Sequence, residues 1–188
     1  GGRDLFVPGE DRASLARAER FARFAFPSGL RAEHAARIAR LSVCPEIDCL
    51  RNRLPPGVLA AAEQRALAIG VGADEVLVAA GHIDEAAYCR TFAFALHVPF
   101  IDLAQWPRAA CPMSDELLLA AARSQIAAFI ENGELVWVVT PRGGQARGLV
   151  TYLSTRQDMR RRLRVTTPAG LQQFIRTHCD DLIGYQSA

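Results

Sequence analysis

Residues 74–103 read DEVLVAAGHIDEAAYCRTFAFALHVPFIDL, and this stretch decides the fold. It contains two short helical patterns separated by Gly81, and Pro99 ends the second before an extended apolar run. In the second pattern, apolar residues recur at the spacing of one helix face, namely Tyr88, Phe92, Ala95 and Leu96. The pattern is typical of a compact helical block that leads into a sheet.

A longer helix precedes this stretch and completes a three-helix block. It begins near Val58, carries apolar residues at helical spacing as far as Ile69, and ends at Gly70, a favoured helix-terminating residue. Asp74 and Asp84 are predicted to cap the next two helices through their side-chain oxygens. The sequence therefore predicts a helical subdomain over residues 57–104.

The pattern changes downstream, where helices alternate with strands. Ser114 is predicted to cap a helix, and Asn132-Gly133 joins the strands IAAFIE and ELVWVVT in the strongest short hairpin signal. A helix over residues 145–155, the strand RLRVTT and a last helix opening at Pro168 follow. The order α-β-β-α-β-α predicts an α+β fold with a small sheet over residues 105–182, and residues 183–188 are expected to start a linker to a downstream domain.

Residues 1–56 are predicted to form a helical arm, up to about Leu41, and a proline-containing linker from Cys44 to Pro56. Ten arginines against seven acids make this region basic, whereas two arginines against six acids make residues 57–103 acidic. A solvated arm and a specific docking helix both remain open for it, since charge on an amphipathic helix is normal.

The composition limits the classes of protein to which the chain can belong. With 188 residues and 50% hydrophobic content the chain can bury a core, and the net charge of +2 gives no indication of nucleic-acid binding. All 22 basic residues are arginine, which excludes a lysine nucleophile or P-loop lysine from these residues. Neither a membrane-spanning run nor a signal peptide is recognisable. We expect a cytoplasmic piece of a longer protein, held at the inner membrane through its parent.

Five cysteines, odd in number and scattered, are typical of a reducing compartment and are interpreted as small apolar core residues. The alternative is a zinc site collecting Cys44, Cys49, His178 and Cys179. No CxxC pair supports it, and the spacing CPEIDC is a weak signal. We therefore predict no metal.

Two stretches could bind an anion. The first is a basic run formed by Arg156, Arg160, Arg161, Arg162 and Arg164. If it is a strand, Arg160, Arg162 and Arg164 share one face and could bind a phosphate-bearing ligand or an acidic partner, although a solvated edge strand guarded by charge is as well supported. The second, PRGGQARG, lies between a strand and a helix but lacks both the Walker A ending and the GxGxxG spacing, which favours a plain turn.

No catalytic constellation is recognisable in the chain. Its four histidines lie in different predicted elements, and none has a serine or cysteine partner at motif spacing. We predict that these residues are not an enzyme and that they hold no cofactor.

The order of these motifs resembles the N-terminal domain of type II secretion and type IV pilus assembly ATPases. The resemblance covers residues 57–179 and includes the hairpin FIENGELVWVVTP. The positions that match the family pattern are Leu77, Val78, Gly81, Ile83, Pro99, Phe100, Asp102 and Leu103. It implies a non-catalytic cytoplasmic domain that docks a protein partner or regulates a downstream domain of its own chain.

The same domain is found fused to bacterial family 2 glycosyltransferases. The stretch GVGADEVLVAAGHIDEAAYCRTFA resembles that branch more closely than it resembles the ATPases. The resemblance therefore implies a regulatory or protein-interaction domain of a membrane glycosyltransferase. The docking domain of a secretion or pilus ATPase is the first alternative. A nucleotide receptor that uses the arginine run is the second.

Some members of the family bind cyclic di-GMP through a motif that begins Arg-Leu-Gly and ends in Gln. The matching positions here are Gly72, Ala73 and Asp74 at the start and Ala95 at the end. A carboxylate at Asp74 would repel the nucleotide, and the missing arginine removes a two-point phosphate partner. We expect no cyclic di-GMP binding in the family manner.

Overall fold

The computed structural model describes residues 42–183, so the predicted arm and residues 184–188 lie outside the described residues. Six α-helices and three strands are described there. In chain order they are α1 (Pro56–Ile69), α2 (Ala73–Ala79), α3 (Glu85–Ala95), α4 (Asp115–Ser124), β1 (Ile126–Glu131), β2 (Glu134–Val139), α5 (Gly143–Thr155), β3 (Leu163–Val165) and α6 (Pro168–Ile183). Short 3-10 helices fill several of the connections. The predicted α+β class is confirmed.

The sheet has the strand order β1-β2-β3, with β2 in the centre. The predicted hairpin is confirmed, because β1 and β2 are antiparallel and both turn residues have positive φ, 52° at Asn132 and 79° at Gly133. β3 runs parallel to β2. The extended run after α3 joins this edge, where the Ile101 N–H donates to the carbonyl of Val165 at 2.8 Å.

Two apolar cores lie on opposite faces of the sheet, and the alternation along β2 assigns residues to each. Trp137 and Val139 pack with α1, α2, α3 and α5 on one face, while Val136 and Val138 pack with α4 and α6 on the other. The three-helix block and α5 therefore share one core with the sheet.

The segment predicted as a linker contains a packed 3-10 helix, Pro45–Leu50. Cys44, Ile47 and Leu50 are fully buried in the core that contains α1, α2 and α3. The linker interpretation of Cys44–Pro56 is therefore wrong for these residues. The prolines of this segment suggested a linker. Proline is also favoured at the first position of a helix, where its missing N–H is not needed, and Pro45 and Pro56 lie at such positions.

Most predicted helix ends are confirmed. Gly70 ends α1 with φ 74°, and the side chains of Asp84 and Ser114 accept the N–H groups of Ala87 and Leu117. Asp74 is the exception: α2 begins at Ala73 after the cap residue Gly72, which places Asp74 inside the first turn. Its carboxylate bonds to a different helix, as described below.

None of the helices within residues 42–183 combines the length and apolar character that crossing a bilayer requires.

Candidate functional site

The arginine run does not form the strand face that the sequence predicted. Residues Gln157–Arg162 form a 3-10 helix, and β3 begins only at Leu163. A 3-10 helix has three residues per turn, so Arg160, Arg161 and Arg162 extend in three different directions. The prediction that alternate arginines share one face is therefore wrong.

Two arginines of the run are engaged with the chain's own groups. Arg156 pairs with Asp158, with 3.3 Å between Nε and Oδ1. Arg164 pairs with Glu131, with 2.9 Å between Nε and Oε2, and donates to the carbonyls of Arg161 and Leu163. Arg164 is thereby a structural residue that ties β3 to the end of β1.

Among residues 42–179, the side chains of Arg160, Arg161 and Arg162 have no ion-pair partner. Arg161 and Arg162 are exposed, while Arg160 is half-buried and its Nε is buried without a hydrogen-bond partner. The five arginines are not gathered into one anion-binding pocket. What remains is a diffuse positive surface at the end of α5.

The glycine-rich stretch opens α5, and its helix N-terminus is already filled by a carboxylate. The Gly143 N–H donates to Asp74 Oδ2 at 2.8 Å. At the start of α2 the Gly72 N–H donates to Glu75 Oε2 at 3.0 Å, and the Ala73 N–H to Glu46 Oε1 at 3.2 Å. The N–H groups of Gly72, Ala73 and Gly143, which could otherwise bind a phosphate, are therefore taken by side chains.

Glycine is required where the two helix starts meet. A Cβ on Gly72 would come within 2.4 Å of the Gly143 Cα, which is closer than real Cβ atoms approach backbone. Gly143 also has φ 55°, a left-handed conformation that glycine adopts without strain. The turn interpretation of PRGGQARG agrees with this packing, and the glycines bring backbones together.

Two arginines complete this cluster. Arg142 Nε lies 3.1 Å from Glu75 Oε1, and Arg147 contacts both oxygens of Glu46, at 2.7 Å and 3.0 Å. Glu46 is fully buried, and its carbonyl also accepts the Tyr88 hydroxyl at 3.0 Å. We call the cluster the carboxylate junction and define it as Glu46, Gly72, Asp74, Glu75, Arg142, Gly143 and Arg147.

The junction holds a carboxyl group with altered acidity. Burial raises the pKa of Asp74 to about 6. The Gly143 hydrogen bond lowers this pKa, while the negative charges of Glu46 and Glu75 raise it further. Asp74 is only 2% exposed, and its Oδ1 is buried without a hydrogen-bond partner. Asp74 is therefore a carboxyl group of raised pKa that burial keeps out of contact with a substrate, and its bonded oxygen holds the start of a helix.

The thiols near the junction are unsuited to nucleophilic chemistry. Burial raises the pKa of Cys49 and of Cys89 to about 12, so both stay protonated at neutral pH. The zinc alternative is not assembled either, since Cys44 lies in the core on one face of the sheet and Cys179 in the core on the other. Among residues 42–179, whose side chains are described, no group of three or more His, Cys, Asp or Glu side chains has the arrangement to hold a metal ion.

A surface that the sequence interpretation missed lies on α3. Tyr88 and Phe92 are buried as predicted, but Ala95 is exposed, and Phe94 is 80% exposed. Phe94 lies at one end of a shallow groove lined by Arg53, Ala87, Arg90, Thr91 and Phe94. The spacing 87, 90, 91, 94 is itself a helix-face pattern and could have indicated this surface.

A scan against protein-family models finds no match, and a search of curated proteins finds no relative of this chain.

Proposed function

We propose that residues 42–183 form a non-catalytic regulatory or protein-interaction domain, similar to the N-terminal domain of type II secretion and pilus ATPases. In this proposal the domain is the cytoplasmic N-terminal part of a membrane glycosyltransferase. The family and the parent protein rest on the matching residues from Leu77 to Leu103 described above. A docking domain of a secretion ATPase has the same fold and differs in what it is joined to.

One observation supports the non-catalytic part of the proposal: each of the three carboxylates in the junction is bonded within the chain, although Asp74 Oδ1 has no partner. Asp74 Oδ2 accepts from Gly143, Glu75 bridges Gly72 and Arg142, and Glu46 is paired with Arg147. A nucleotide phosphate would have to displace a buried carboxylate that already bonds the same N–H groups. The cluster therefore stabilises the contact between helices and occupies the N–H groups of Gly72, Ala73 and Gly143.

The exposed Phe94 supports the interaction part. Aromatic residues and arginine are enriched at the energetic centres of protein–protein interfaces, and both are present in the groove on α3. A large aromatic residue that is 80% exposed on a regular helix gains most from a partner that removes it from water.

A nucleotide receptor is the second candidate, because Arg160 Nε is buried without a partner and would gain a charge-assisted hydrogen bond from a phosphate. Calorimetric titration of cyclic di-GMP and of Mg-ATP into the chain separates the two. The first candidate predicts no binding heat at micromolar concentrations. Micromolar binding that disappears in the triple variant Arg160→Ala, Arg161→Ala, Arg162→Ala would establish the second candidate instead.

Turnover of the full-length protein tests the non-catalytic assignment. Asp74→Asn removes the carboxyl group of raised pKa while retaining an oxygen that can accept the Gly143 N–H. We expect sugar transfer, or ATP hydrolysis if the parent is a motor, to continue at an unchanged maximal rate. Loss of turnover in a variant with unchanged circular dichroism would contradict the proposal.

The parent assignment has its own test in the reading frame that encodes these residues. Membrane-spanning runs with paired-aspartate motifs beyond Ala188 would support a glycosyltransferase. A Walker A loop there would replace it with a secretion or pilus ATPase.

A further inference from the structure

We propose that the groove on α3 is a docking site for an acidic segment of a partner protein that carries a large apolar side chain. The groove is lined by Arg53, Ala87, Arg90, Thr91 and Phe94. The inference rests on the proposed interaction function and names the surface and the chemistry of the partner.

The floor of the groove is one face of α3. Residues 87, 90, 91 and 94 follow the i, i+3, i+4, i+7 spacing, so they form a continuous stripe. Thr91 is buried and Ala87 half-buried, which makes the groove shallow at its centre. Phe94 projects at one end with 80% of its surface exposed. A bulky side chain of a partner could lie over Ala87 and Thr91 and contact the Phe94 ring.

The rim of the groove is positive and unpaired. Neither Arg53 nor Arg90 forms an ion pair with a carboxylate of residues 42–179, and no acidic side chain of those residues lines the groove. Six arginines of this part of the chain are paired, while Arg65, Arg123 and the group Arg160, Arg161 and Arg162 are unpaired like Arg53 and Arg90. What distinguishes Arg53 and Arg90 is that both line one groove with Phe94, where they can bind carboxylates through two-point hydrogen bonds.

The fold orders the two arginines to different degrees. The backbone N–H of Arg53 donates to the Leu50 carbonyl at 2.9 Å, but the Arg53 side chain is exposed. The guanidinium carbon of Arg90 lies 5.3 Å from the centre of the Phe100 ring, a cation–π arrangement. This contact lowers the conformational entropy that a partner must remove from Arg90 on binding.

Charge favours a separate partner over the chain's own N-terminal residues. Residues 1–41 carry eight arginines against five acids, which is three net positive charges. The segment as a whole would bring positive charge towards Arg53 and Arg90, and is therefore a poor occupant. Its stretch 4–11, DLFVPGED, differs, because it carries three acids and no arginine. A peptide affinity that rises in the full-chain triple variant Asp4→Arg, Glu10→Arg, Asp11→Arg would identify this stretch as the occupant and overturn the separate partner.

Charge also disfavours a second copy bound through the same groove. A two-fold symmetric contact places each surface patch against itself, so Arg53 and Arg90 would face their own equivalents. Like charges brought together at an interface oppose binding. An acidic, apolar segment of a different protein is the occupant that matches both the rim and Phe94.

Panning of a phage-displayed library of random dodecapeptides on the immobilised chain tests the proposal. We expect enriched peptides to contain an excess of Asp and Glu around one aromatic or branched aliphatic residue. Their affinity, measured by fluorescence anisotropy, should fall about tenfold or more in Phe94→Ala, as at interface hot spots. Affinity should fall at least as far in the double variant Arg53→Glu, Arg90→Glu.

Leu67→Ala is the matched control, because Leu67 is another exposed large apolar residue, 60% exposed on α1. It should leave the affinity unchanged, and circular dichroism should show that all variants are folded. Affinity should also fall as salt is raised, since ion pairs at the rim are screened.

Three outcomes would overturn the proposal: no enrichment of peptides, enrichment without an acidic bias, or binding that is insensitive to the groove variants. Peptides that bind the domain at a surface other than the groove would overturn the docking site but leave the proposed interaction function standing. Self-association that is abolished by Phe94→Ala would replace the separate partner with a second copy. Failure of the proposed function itself appears separately, as loss of turnover in Asp74→Asn.

Discussion

The carboxylate of Glu46 and the guanidinium of Arg147 form a two-point ion pair, although the residues lie 101 positions apart in the sequence. Glu46 belongs to the 3-10 helix before α1, and Arg147 to the second turn of α5. The Glu46 side chain is fully buried, while 39% of the Arg147 side chain is exposed. The pair therefore fixes the start of the described chain to the helix that lies on the sheet.

Arg147→Met should destabilise the domain, because it leaves the Glu46 carboxylate buried without its cation. Removal of one partner of a buried pair typically lowers the free energy of unfolding by about 3–5 kcal/mol, and we expect roughly 2–3 here since water reaches Arg147. Urea unfolding measures the change. Arg156→Met removes an arginine from an exposed pair and should alter stability little. Equal effects of the two substitutions would contradict the structural role of the pair.

The glycines at the start of α5 provide a second test. Gly143→Ala introduces a Cβ at φ 55° and 2.5 Å from Glu75 Oε2, so Glu75 must move away from Gly72 and Arg142. We expect a loss of roughly 1–3 kcal/mol in the free energy of unfolding. Gly144→Ala, one residue later, meets nothing within 4 Å and should stabilise the helix by up to about 1 kcal/mol. Equal unfolding midpoints for the two variants would contradict the close approach of α2 and α5.

The pKa of Asp74 predicts an unusual pH dependence. Its pKa of about 6 lies above the ordinary value of 3.8, so the folded state binds the proton more tightly than the unfolded state does. Between these two values the unfolded chain loses the proton first. The contribution of this group is therefore fully present below about pH 4 and is lost as the pH rises through about 6.

Asp74→Asn isolates this contribution. The stability of the wild type relative to the variant should fall between pH 4 and pH 7, by at most about 3 kcal/mol for a shift of two pKa units. Glu46, Glu75, Arg142 and Arg147 face the same junction in both proteins. Asp102→Asn, which removes an exposed carboxylate that accepts the Ala104 N–H, controls for the loss of a turn-capping acid. A difference that rises with pH would show that Asp74 is more acidic in the folded state.

The arginine run should divide into structural and surface residues. Arg164, whose side chain is 14% exposed, bonds Glu131 and two carbonyls, so Arg164→Ala should lower the free energy of unfolding by about 1–3 kcal/mol. Arg161→Ala removes an exposed side chain and should change it by less than about 0.5 kcal/mol. Thermal unfolding of both variants provides the comparison. A larger effect at Arg161 would indicate that the run acts as one unit.

Local patterns in the sequence determined most of the secondary structure. The hairpin at Asn132-Gly133, the caps Asp84 and Ser114, and the end of α1 at Gly70 follow from backbone preferences of a few neighbouring residues. The burial of Tyr88 and Phe92 likewise follows from helical periodicity. These features need only short-range information, which the sequence contains.

Which polar groups contact each other depends on how the helices pack against the sheet. Asp74 is a residue type that commonly caps helices, but its carboxylate accepts the N–H of Gly143, 69 residues away. This bond forms because α2 and α5 approach so closely that Gly72 lies against Gly143. The sequence of the arginine run is compatible with a strand, but residues Gln157–Arg162 form a 3-10 helix. Arg156, just before this helix, pairs with Asp158, and Arg164, just after it, pairs with Glu131. Periodicity carries no information on partners distant in the sequence, since packing of the whole chain sets those distances.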